Sequence, residues 1–488
     1  MAGLRLLVHA LLNGHYGFHR DELQTLDDAR HMAWGFVAYP PLTPFIARVA
    51  SMLFGAPAIT GPAAIRFVSA LAQCVVMVVT GRMAGELGGG RAAQIIAALA
   101  AALAPVSLIF GGLFEYASFD LLWGALALYF VMRLLRSGDG RWWMAVGAAI
   151  GLGLMTRYTI AFLAAGLAVG FIAAGFTAKS ARSMLASPWL GAGIALAVAI
   201  ALPNVIWQAA HGFISLEFLR SIHARDVRIG RADGFLWRQL LVPANLFTVP
   251  LWLAGLFFYL RMKDGERYRV LGWTYVATLA IFAASQARDY YTAPLYPMLF
   301  AAGAVASETW PLWARRLNWA ALALGAALGI AFALPIPPVN SSWFGAESRV
   351  NGDLREEIGW PELVDQVAII RDSLPAPERA SAGILTGNYG EAGAIEIYGQ
   401  SRGLPQPLSM VNSFWLRGYP VPPPATLIVV GLSPRFVEQN FATCEARGLI
   451  TNRYGVGNEE TEYDKYLWVC RGLRESWPEF WRKHRTWG

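Results

Sequence analysis

The 488-residue sequence predicts a polytopic α-helical membrane protein of about eleven transmembrane helices, followed by a soluble α/β domain. Three observations lead to this fold class. Hydrophobic residues make up 56% of the chain and charged residues only 15%, which is more apolar surface than a soluble core would hide. Apolar windows of helical length recur as far as residue 335, and beyond residue 340 the composition becomes that of a soluble domain.

Charge and cysteine content exclude several other classes of protein. The net charge of +7 does not indicate nucleic-acid binding, because basic residues of membrane proteins gather in cytoplasmic loops. The three cysteines form no CxxC pair, which excludes a zinc finger or a disulfide framework. No cleavable signal peptide is predicted, since residues 4–18 lack a small-residue cleavage site and lead straight into charged residues.

The predicted spans follow from windows of about 20 apolar residues. They lie near residues 4–18, 62–84, 92–110, 118–135, 142–156, 158–177, 188–207, 241–260, 270–286, 290–307 and 317–335. Only "TRYT" separates the fifth from the sixth, so one long broken helix is the alternative there.

Positive charge predicts the sidedness of the loops. With a cytoplasmic N-terminus, the inside loops are "GELGGGR", "RLLRSGDGR", "TAKSARS", "RMKDGERYR" and "ETWPLWARR", and each is short and contains Lys or Arg. The loops 19–61 and 208–240 then lie at the outer face. The sequence therefore predicts a transmembrane catalytic domain over residues 1–338 and an extracytoplasmic soluble α/β domain over residues 339–488.

The C-terminal region shows alternating helix and strand patterns. "PELVDQVAIIRDSL" and "PRFVEQNFATCEARGL" have helical spacing, whereas "AGILTGNYG", "ATLIVVGL" and "KYLWVC" are typical of buried strands. "GNYGEAG" lacks the ending of a phosphate loop, so it predicts a turn and a helix start. Cys444 and Cys470 form a disulfide if this region lies outside the cytoplasm, and two buried thiols are the alternative.

Polar residues gather at the predicted outer ends of the helices. Asp21 and Glu22 follow the first span directly, and Asp120 lies one turn inside the fourth. Arg66, Arg157 and Arg288 stand at helix ends, where guanidinium groups suit a phosphate. A carboxylate that acts as a base, beside arginines that bind a phosphate (a phosphate clamp), suits group transfer from a phospholipid-like donor.

Each of these residues also has a structural interpretation. An Asp-Glu pair at a helix exit is often a solvated anchor, and arginines near span ends often extend towards lipid headgroups. Asp27 and Asp28 precede His31 at helical spacing, which suits metal ligands, but local ion pairing with Arg30 is the preferred interpretation. His211 and His223 are predicted to be surface or substrate-groove residues.

Several segments in chain order resemble bacterial members of the protein O-mannosyltransferase and aminoarabinose transferase superfamily, which have the GT-C fold. They are "RDELQTLDDARHMAWGFVAYPPLTPFIARV", "IRFVSALAQCVVMVVTGRMAGELGG", "FDLLWGALALYF", "GLGLMTRYTIAFL", "NVIWQAAHGFISLEFL", "ARDYYTAPLYP" and "YGEAGAIEIYG". The resemblance covers nearly the whole chain. It implies an inverting glycosyltransferase in the bacterial inner membrane that takes a sugar from a polyprenyl-phosphate carrier at the outer face.

The resemblance also implies roles for individual residues. Asp21 matches the general base, and Glu22 the second acid of the Asp-Glu motif. Arg157 and Arg288 stand where relatives have Lys near the carrier phosphate, and Arg66 is expected to help bind it. The residues expected to line the substrate cavity are Tyr39, Pro40, Asp120, Tyr158, His211 and Tyr290.

The resemblance implies only the chemical classes of the sugar donor and of the acceptor. The donor is a polyprenyl-phosphate-linked sugar, and a glycolipid, a polysaccharide or a protein hydroxyl all suit the acceptor site. No metal ligand set is predicted, and a requirement for Mg²⁺ or Mn²⁺ is left open. A transporter or lipid flippase with acidic coupling residues is the alternative, but it predicts mid-span charges and an inverted repeat, which the sequence lacks.

Overall fold

The computed structural model describes residues 1–176 and 179–487, so residues 177 and 178 of the predicted loop "TAKSARS" and the end of the predicted span 158–177 lie outside the described residues. The chain divides into two compact units. The first unit contains Met1–Leu11, Tyr39–Thr43 and Arg66–Leu334. The second unit adds Leu12–Ala38 and Pro44–Ile65 to Pro335–Gly488, and the predicted domain boundary at residue 338 stays a prediction.

Helices dominate the chain up to residue 333. The α-helices are Ala2–Leu12, Arg20–Arg30, Leu42–Phe54, Pro57–Thr60, Pro62–Glu86, Arg91–Ala102, Pro105–Gly112, Tyr116–Ser137, Trp142–Leu154, Ile160–Gly175, Lys179–Leu185, Pro188–Ala210, Ile214–Arg228, Phe235–Arg238, Val249–Arg261, Arg269–Ala284, Tyr296–Ser307 and Leu312–Ala333. Short 3₁₀ helices cover Leu246–Thr248, Glu266–Tyr268 and Asp289–Leu295. Each predicted span overlaps at least one of these α-helices.

The number of spans is not confirmed at eleven. Four helices of the described residues are long and apolar enough to cross a membrane: Pro62–Glu86, Tyr116–Ser137, Pro188–Ala210 and Leu312–Ala333. Two bent pairs, Arg91–Ala102 with Pro105–Gly112 and Leu246–Arg261 with Glu266–Ala284, raise the number to six if each pair is one span. The remaining predicted spans correspond to shorter helices or to members of those pairs, because turns interrupt the apolar windows.

Local sequence explains one of the interruptions. Ala104 is extended before Pro105, since a residue preceding proline is disfavoured in the helical region, and the two flanking helices meet at 61°. At "TRYT" one helix ends at Leu154 and the next begins at Ile160, so the chain is interrupted there, and the choice between two spans and one broken helix stays a prediction.

Helices of the first unit approach one another closely where glycines face each other. A Cβ at Gly255 would collide with the backbone of Leu299, and one at Gly303 would collide with the backbone of Leu251. The helices Val249–Arg261 and Tyr296–Ser307 therefore pack backbone against backbone. The helix Tyr296–Ser307 directly follows the 3₁₀ helix Asp289–Leu295, which contains Tyr290.

The C-terminal region is a mixed α/β fold. Its strands are β1 (Gly383–Thr386), β2 (Pro407–Ser409), β3 (Thr426–Val430), β4 (Phe441–Leu449) and β5 (Tyr466–Leu473), in the order β2-β1-β3-β5-β4. β1 is parallel to β2 and β3, and β5 is antiparallel to β3 and β4. The helices are Ser342–Val350, Trp360–Asp372, Ala376–Ser381, Tyr389–Tyr398, Asn412–Arg417, Pro434–Asn440, Glu459–Glu462 and Trp477–Lys483, with 3₁₀ turns at Gly352–Glu357 and Gln400–Arg402.

One C-terminal prediction was wrong. The helix predicted for "PRFVEQNFATCEARGL" ends at Asn440, and the remainder forms β4 at the edge of the sheet. Pairing with β5 overrides the helical propensity of these residues. Cys444 lies directly opposite Cys470 in that pairing, and the two form a disulfide, which decides between the two alternatives for these cysteines.

The predicted helix start in "GNYGEAG" is confirmed and depends on a buried acid. The Asn388 side chain caps the backbone N–H of Glu391, and the Glu391 carboxylate accepts the N–H groups of Gly387 and Asn388. Burial raises the pKa of Glu391 to about 8, and the neighbouring Glu460 adds to that rise. The folded chain therefore holds a proton here at pH values where the unfolded chain does not.

Replacing Glu391 with glutamine should remove part of the pH dependence of stability. A raised pKa means that the stability of the wild type falls between about pH 4.5 and 8, by roughly 1.4 kcal/mol per pH unit for one proton. The amide of Glu391→Gln keeps an accepting oxygen and does not titrate, so the variant should melt with a shallower dependence on pH in detergent. The exposed Glu445→Gln is the control, and parallel curves for Glu391→Gln and wild type would contradict the prediction.

The ion-pair partner predicted for Asp27 and Asp28 was wrong. Both carboxylates pair with Arg417, which lies 2.7 Å from Asp28 Oδ1, whereas Arg30 pairs with Glu396. Sequence proximity favoured Arg30, but helix Arg20–Arg30 directs these acids to its buried side, and both are at most 1% exposed. Arg417 donates one hydrogen bond to each carboxylate, and its charge offsets the cost of burying them.

Loss of Arg417 should therefore destabilise the chain strongly. Arg417→Ala leaves two buried carboxylates without their guanidinium, and we expect a loss of about 3–5 kcal/mol, measured as a lower melting temperature in detergent. Arg447→Ala removes an exposed pair with Glu445 and should cost about 0–1 kcal/mol. Equal melting temperatures for the two variants would show that the buried pairs do not stabilise the fold.

Candidate active site

The predicted site residues fall into both units. Asp21 and Glu22 belong to the second unit. The first unit contains the other predicted residues: Tyr39, Pro40, Arg66, Asp120, Arg157, Tyr158, His211, Arg288 and Tyr290. The two groups are therefore described one after the other.

Arg157 lies at the centre of an aromatic cage in the first unit. Its guanidinium carbon is 4.8 Å from the ring centre of Tyr116, 5.3 Å from that of Tyr290 and 4.3 Å from that of Tyr291. Asp120 Oδ2 is 4.0 Å from Arg157 Nη1. The ring faces and the carboxylate stabilise a positive charge that is largely withdrawn from water.

Arg288 also contacts Tyr290, one of the three tyrosines of the cage. The Tyr290 hydroxyl oxygen accepts from Arg157 Nη2 at 3.3 Å and from Arg288 Nη1 at 3.4 Å. Two guanidinium groups from separate segments thus meet at one hydroxyl. This arrangement presents positive charge and an O–H donor together, which is the combination that binds a phosphate.

Asp226 is a residue that the sequence analysis missed. Its carboxylate accepts from Arg288 Nε at 2.6 Å and lies 3.5 Å from Arg231 Nη1. The side chain is 7% exposed and belongs to helix Ile214–Arg228 in the predicted outer loop. Its position between Arg225 and Arg228 indicates only local pairing, and no local pattern connects it to Arg288, which lies 62 residues further along the chain.

Asp120 has partners, as expected for an acid inside an apolar helix. The Thr159 hydroxyl donates to Asp120 Oδ2 at 3.1 Å, in addition to the ion pair with Arg157. A small cavity beside Asp120 is also lined by Thr159 and Tyr291. Asp120 therefore lies at a small recess in the helix bundle whose other lining includes the apolar side chains of Ile160, Leu163 and Phe282.

Tyr39, Pro40 and Arg66 are buried. Tyr39 is connected to the aromatic cage, because its ring centre is 5.6 Å from that of Tyr116. Arg66 is completely buried in helix Pro62–Glu86. Two of the predicted phosphate ligands, Arg157 and Arg288, therefore meet at Tyr290, while the contribution of Arg66 stays a prediction.

Tyr158 and His211 have local partners at helix Pro188–Ala210. The Tyr158 hydroxyl donates to Asn204 Oδ1 at 2.9 Å and accepts from Gln208 Nε2 at 3.1 Å. His211 is exposed at the end of this helix, and its ring stacks on Trp207 with centres 3.9 Å apart. Their roles in substrate binding stay predictions.

In the second unit, Asp21 and Glu22 lie in the first turn of helix Arg20–Arg30. The side chain of His19 accepts from the Asp21 backbone N–H, and the Glu22 carboxylate accepts from the His19 backbone N–H at 2.8 Å. Glu22 is fully buried, whereas Asp21 is partly exposed. Glu22 therefore fixes the first turn that orients Asp21, and the positive end of the helix stabilises both carboxylates.

Arg20, beside Asp21, lies among several anionic groups. Its guanidinium pairs with Glu459. Burial lowers the pKa of Arg20, but the nearby Tyr389, Glu460 and Asp21 raise it by more, so the net pKa lies above the usual value. The guanidinium therefore stays charged. Burial, partly offset by Arg20, raises the pKa of Glu460 to about 7.

The chemistry available to each group can be stated separately. Asp21 is a partly exposed carboxylate on a rigid helix start, which suits a general base. Arg157, Arg288 and Tyr290 present positive charge and an O–H donor together, which suits an anionic oxygen such as that of a phosphate.

Comparisons with known proteins show which sequences and folds this chain is similar to. Residues 38–207 match the family model described as dolichyl-phosphate-mannose-protein mannosyltransferase. The lipid A galacturonosyltransferase RgtD of Rhizobium johnstonii is 24% identical over 283 residues. That match covers 54% of this chain and 56% of the relative, so the similar region spans little more than half of the relative's length.

Solved structures show a similar fold over nearly the whole chain. ArnT from Cupriavidus metallidurans, bound to undecaprenyl phosphate, has a TM-score of 0.63 at 13% identity, with 96% of each chain covered. The apo form of the same protein gives a TM-score of 0.61 at 12% identity. These findings confirm the resemblance that the sequence motifs indicated.

Proposed function

We propose that this chain, a GT-C fold protein similar to the O-mannosyltransferases and aminoarabinose transferases, is an inverting glycosyltransferase. It moves a sugar from a polyprenyl-phosphate carrier to an acceptor hydroxyl. The observation on which this proposal chiefly rests is the convergence of Arg157 and Arg288 on the Tyr290 hydroxyl. An undecaprenyl phosphate bound to the structurally similar ArnT supports a carrier phosphate as the ligand of this site.

The proposed reaction exchanges one bond at the anomeric carbon for another. The acceptor oxygen attacks that carbon while Asp21 takes its proton, and the bond from the carbon to the phosphate oxygen breaks. The electron pair of that bond leaves with the carrier phosphate. Arg157 and Arg288 stabilise this developing charge, and Tyr290 donates a hydrogen bond to it.

We place the reaction at the outer face of the bacterial inner membrane, with residues 339–488 on the same side. The distribution of basic loops supports this placement. The disulfide between Cys444 and Cys470 supports it as well, because such bonds persist in oxidising compartments and are rare in the cytosol.

A glycolipid is the acceptor class that we favour over a polysaccharide or a protein. The support is the named activity of the relative from Rhizobium johnstonii, a lipid A galacturonosyltransferase. For the transferred sugar we propose only its class, a hexose or a pentose. Comparing the glycolipid masses of cells that have and lack this gene would identify both the sugar and its acceptor.

Asp21→Asn tests the proposed base. The amide cannot take a proton, so transfer should fall by about 10²- to 10⁴-fold while the protein stays inserted. Glycolipid mass spectrometry of deletion cells that express each variant gives the readout, with immunoblots of membranes for protein amount. Asp353→Asn, at an exposed acid, is the control. Normal glycolipid in the Asp21→Asn cells would exclude Asp21 as the base.

Arg288→Ala tests the phosphate clamp. Asp226 keeps Arg231 at 3.5 Å, so the variant should fold. Loss of a charge-assisted hydrogen bond should weaken binding of undecaprenyl phosphate roughly 10- to 100-fold, measured by titration in detergent, with little change in acceptor KM. Arg228→Ala, exposed on the same helix as Asp226, should bind the lipid as the wild type does. Equal losses for donor and acceptor would argue against the assignment.

A further inference from the structure

Asp21 has a hydrogen-bond partner from a distant part of the sequence. The Tyr389 hydroxyl donates to Asp21 Oδ1 at 2.7 Å, and the two residues are 368 positions apart but lie in the same unit. No pattern near Asp21 in the sequence indicates this contact. It brings the "YGEAG" motif of the C-terminal region to the carboxylate that we propose as the base.

Tyr389 is held in place by the helix that it begins. The capping box of Asn388 and Glu391 fixes the first turn of Tyr389–Tyr398. This helix packs against Arg20–Arg30, and the two approach closely, because a Cβ at Gly393 would lie 2.7 Å from the Leu23 Cβ. This close packing fixes the distance between the starts of the two helices. It therefore also fixes the distance between the Tyr389 hydroxyl and Asp21.

The ring of Tyr389 is fixed from a second direction. The Arg20 guanidinium carbon lies 4.7 Å from the ring centre, and the same guanidinium pairs with Glu459. Because Arg20 directly precedes Asp21, the stacking ties the ring to the helix turn that bears the carboxylate. Both the hydroxyl and the ring of Tyr389 are therefore oriented relative to Asp21.

We propose that Tyr389 is the positioning residue of the general base: its hydroxyl holds Asp21 Oδ1, so that Oδ2 faces the acceptor hydroxyl. In the transfer, the acceptor proton passes to Oδ2, and Tyr389 keeps its own proton throughout. A carboxylate locked in one rotamer loses less freedom on reaching the transition state than a mobile one does. This inference rests on the proposed function, because it assigns Tyr389 a role only through Asp21.

Tyr389→Phe removes the hydroxyl and keeps the ring on Arg20. We expect kcat per folded molecule to fall on the order of 10-fold, with KM for donor and acceptor and the melting temperature unchanged. The assay uses purified protein with lipid extracts of the deletion cells as substrates. Tyr398→Phe, at the other end of the same helix, is the matched control and should keep the wild-type kcat. A wild-type kcat in Tyr389→Phe would overturn the proposal.

A double-mutant cycle separates positioning from a general structural effect. Asp21→Glu moves the carboxylate by one methylene and disrupts its hydrogen bond with the Tyr389 hydroxyl. Tyr389→Phe should therefore change kcat much less in the Asp21→Glu background than in the wild type. Equal fold-changes in both backgrounds would show that Tyr389 acts elsewhere. Turnover in Asp21→Asn would instead remove the proposed base, whereas an inactive Asp21→Asn with a normal Tyr389→Phe would overturn only this inference.

Discussion

Both units depend on the pairing of charges that are withdrawn from water. An ionised group in apolar surroundings is costly unless hydrogen bonds and an opposite charge replace its hydration. In the first unit, three tyrosine rings and Asp120 surround Arg157. In the second unit, Arg417 meets Asp27 and Asp28. These partners come from segments that are distant in the sequence, so the pairing of charges also joins segments together.

The same constraint distinguishes charges that hold the fold from charges that serve chemistry. Asp28 is completely buried and its carboxylate binds Arg417 and Ser413, which leaves little capacity for a substrate. Asp21, two turns earlier on the same helix, keeps partial exposure and is oriented rather than enclosed by its neighbours. Two acids on one short helix therefore have opposite properties, and their burial, rather than their spacing in the sequence, separates them.

Sequence analysis predicted the parts of the fold that local patterns determine. Apolar windows located the helices, and "ATLIVVGL" located β3, because burial and β-branched residues leave a signal within a few residues. β4 was missed because its residues favour a helix and only pairing with β5 makes them a strand. Arg417 and Tyr389 were missed for a related reason: their partners lie more than 360 residues away, and no local pattern records such a contact.

The composition of the second unit has a consequence for the order in which the chain folds during synthesis. Helix Arg20–Arg30 leaves the ribosome early, but two of its partners, Tyr389 and Arg417, are made 368 and 389 residues after Asp21 and Asp28. Until then, Asp27 and Asp28 have no guanidinium from Arg417 to meet. Long-range closure of this kind is slow. The proposed base would therefore acquire its orientation only after the segment that contains Tyr389 has been made, long after the helix that carries Asp21.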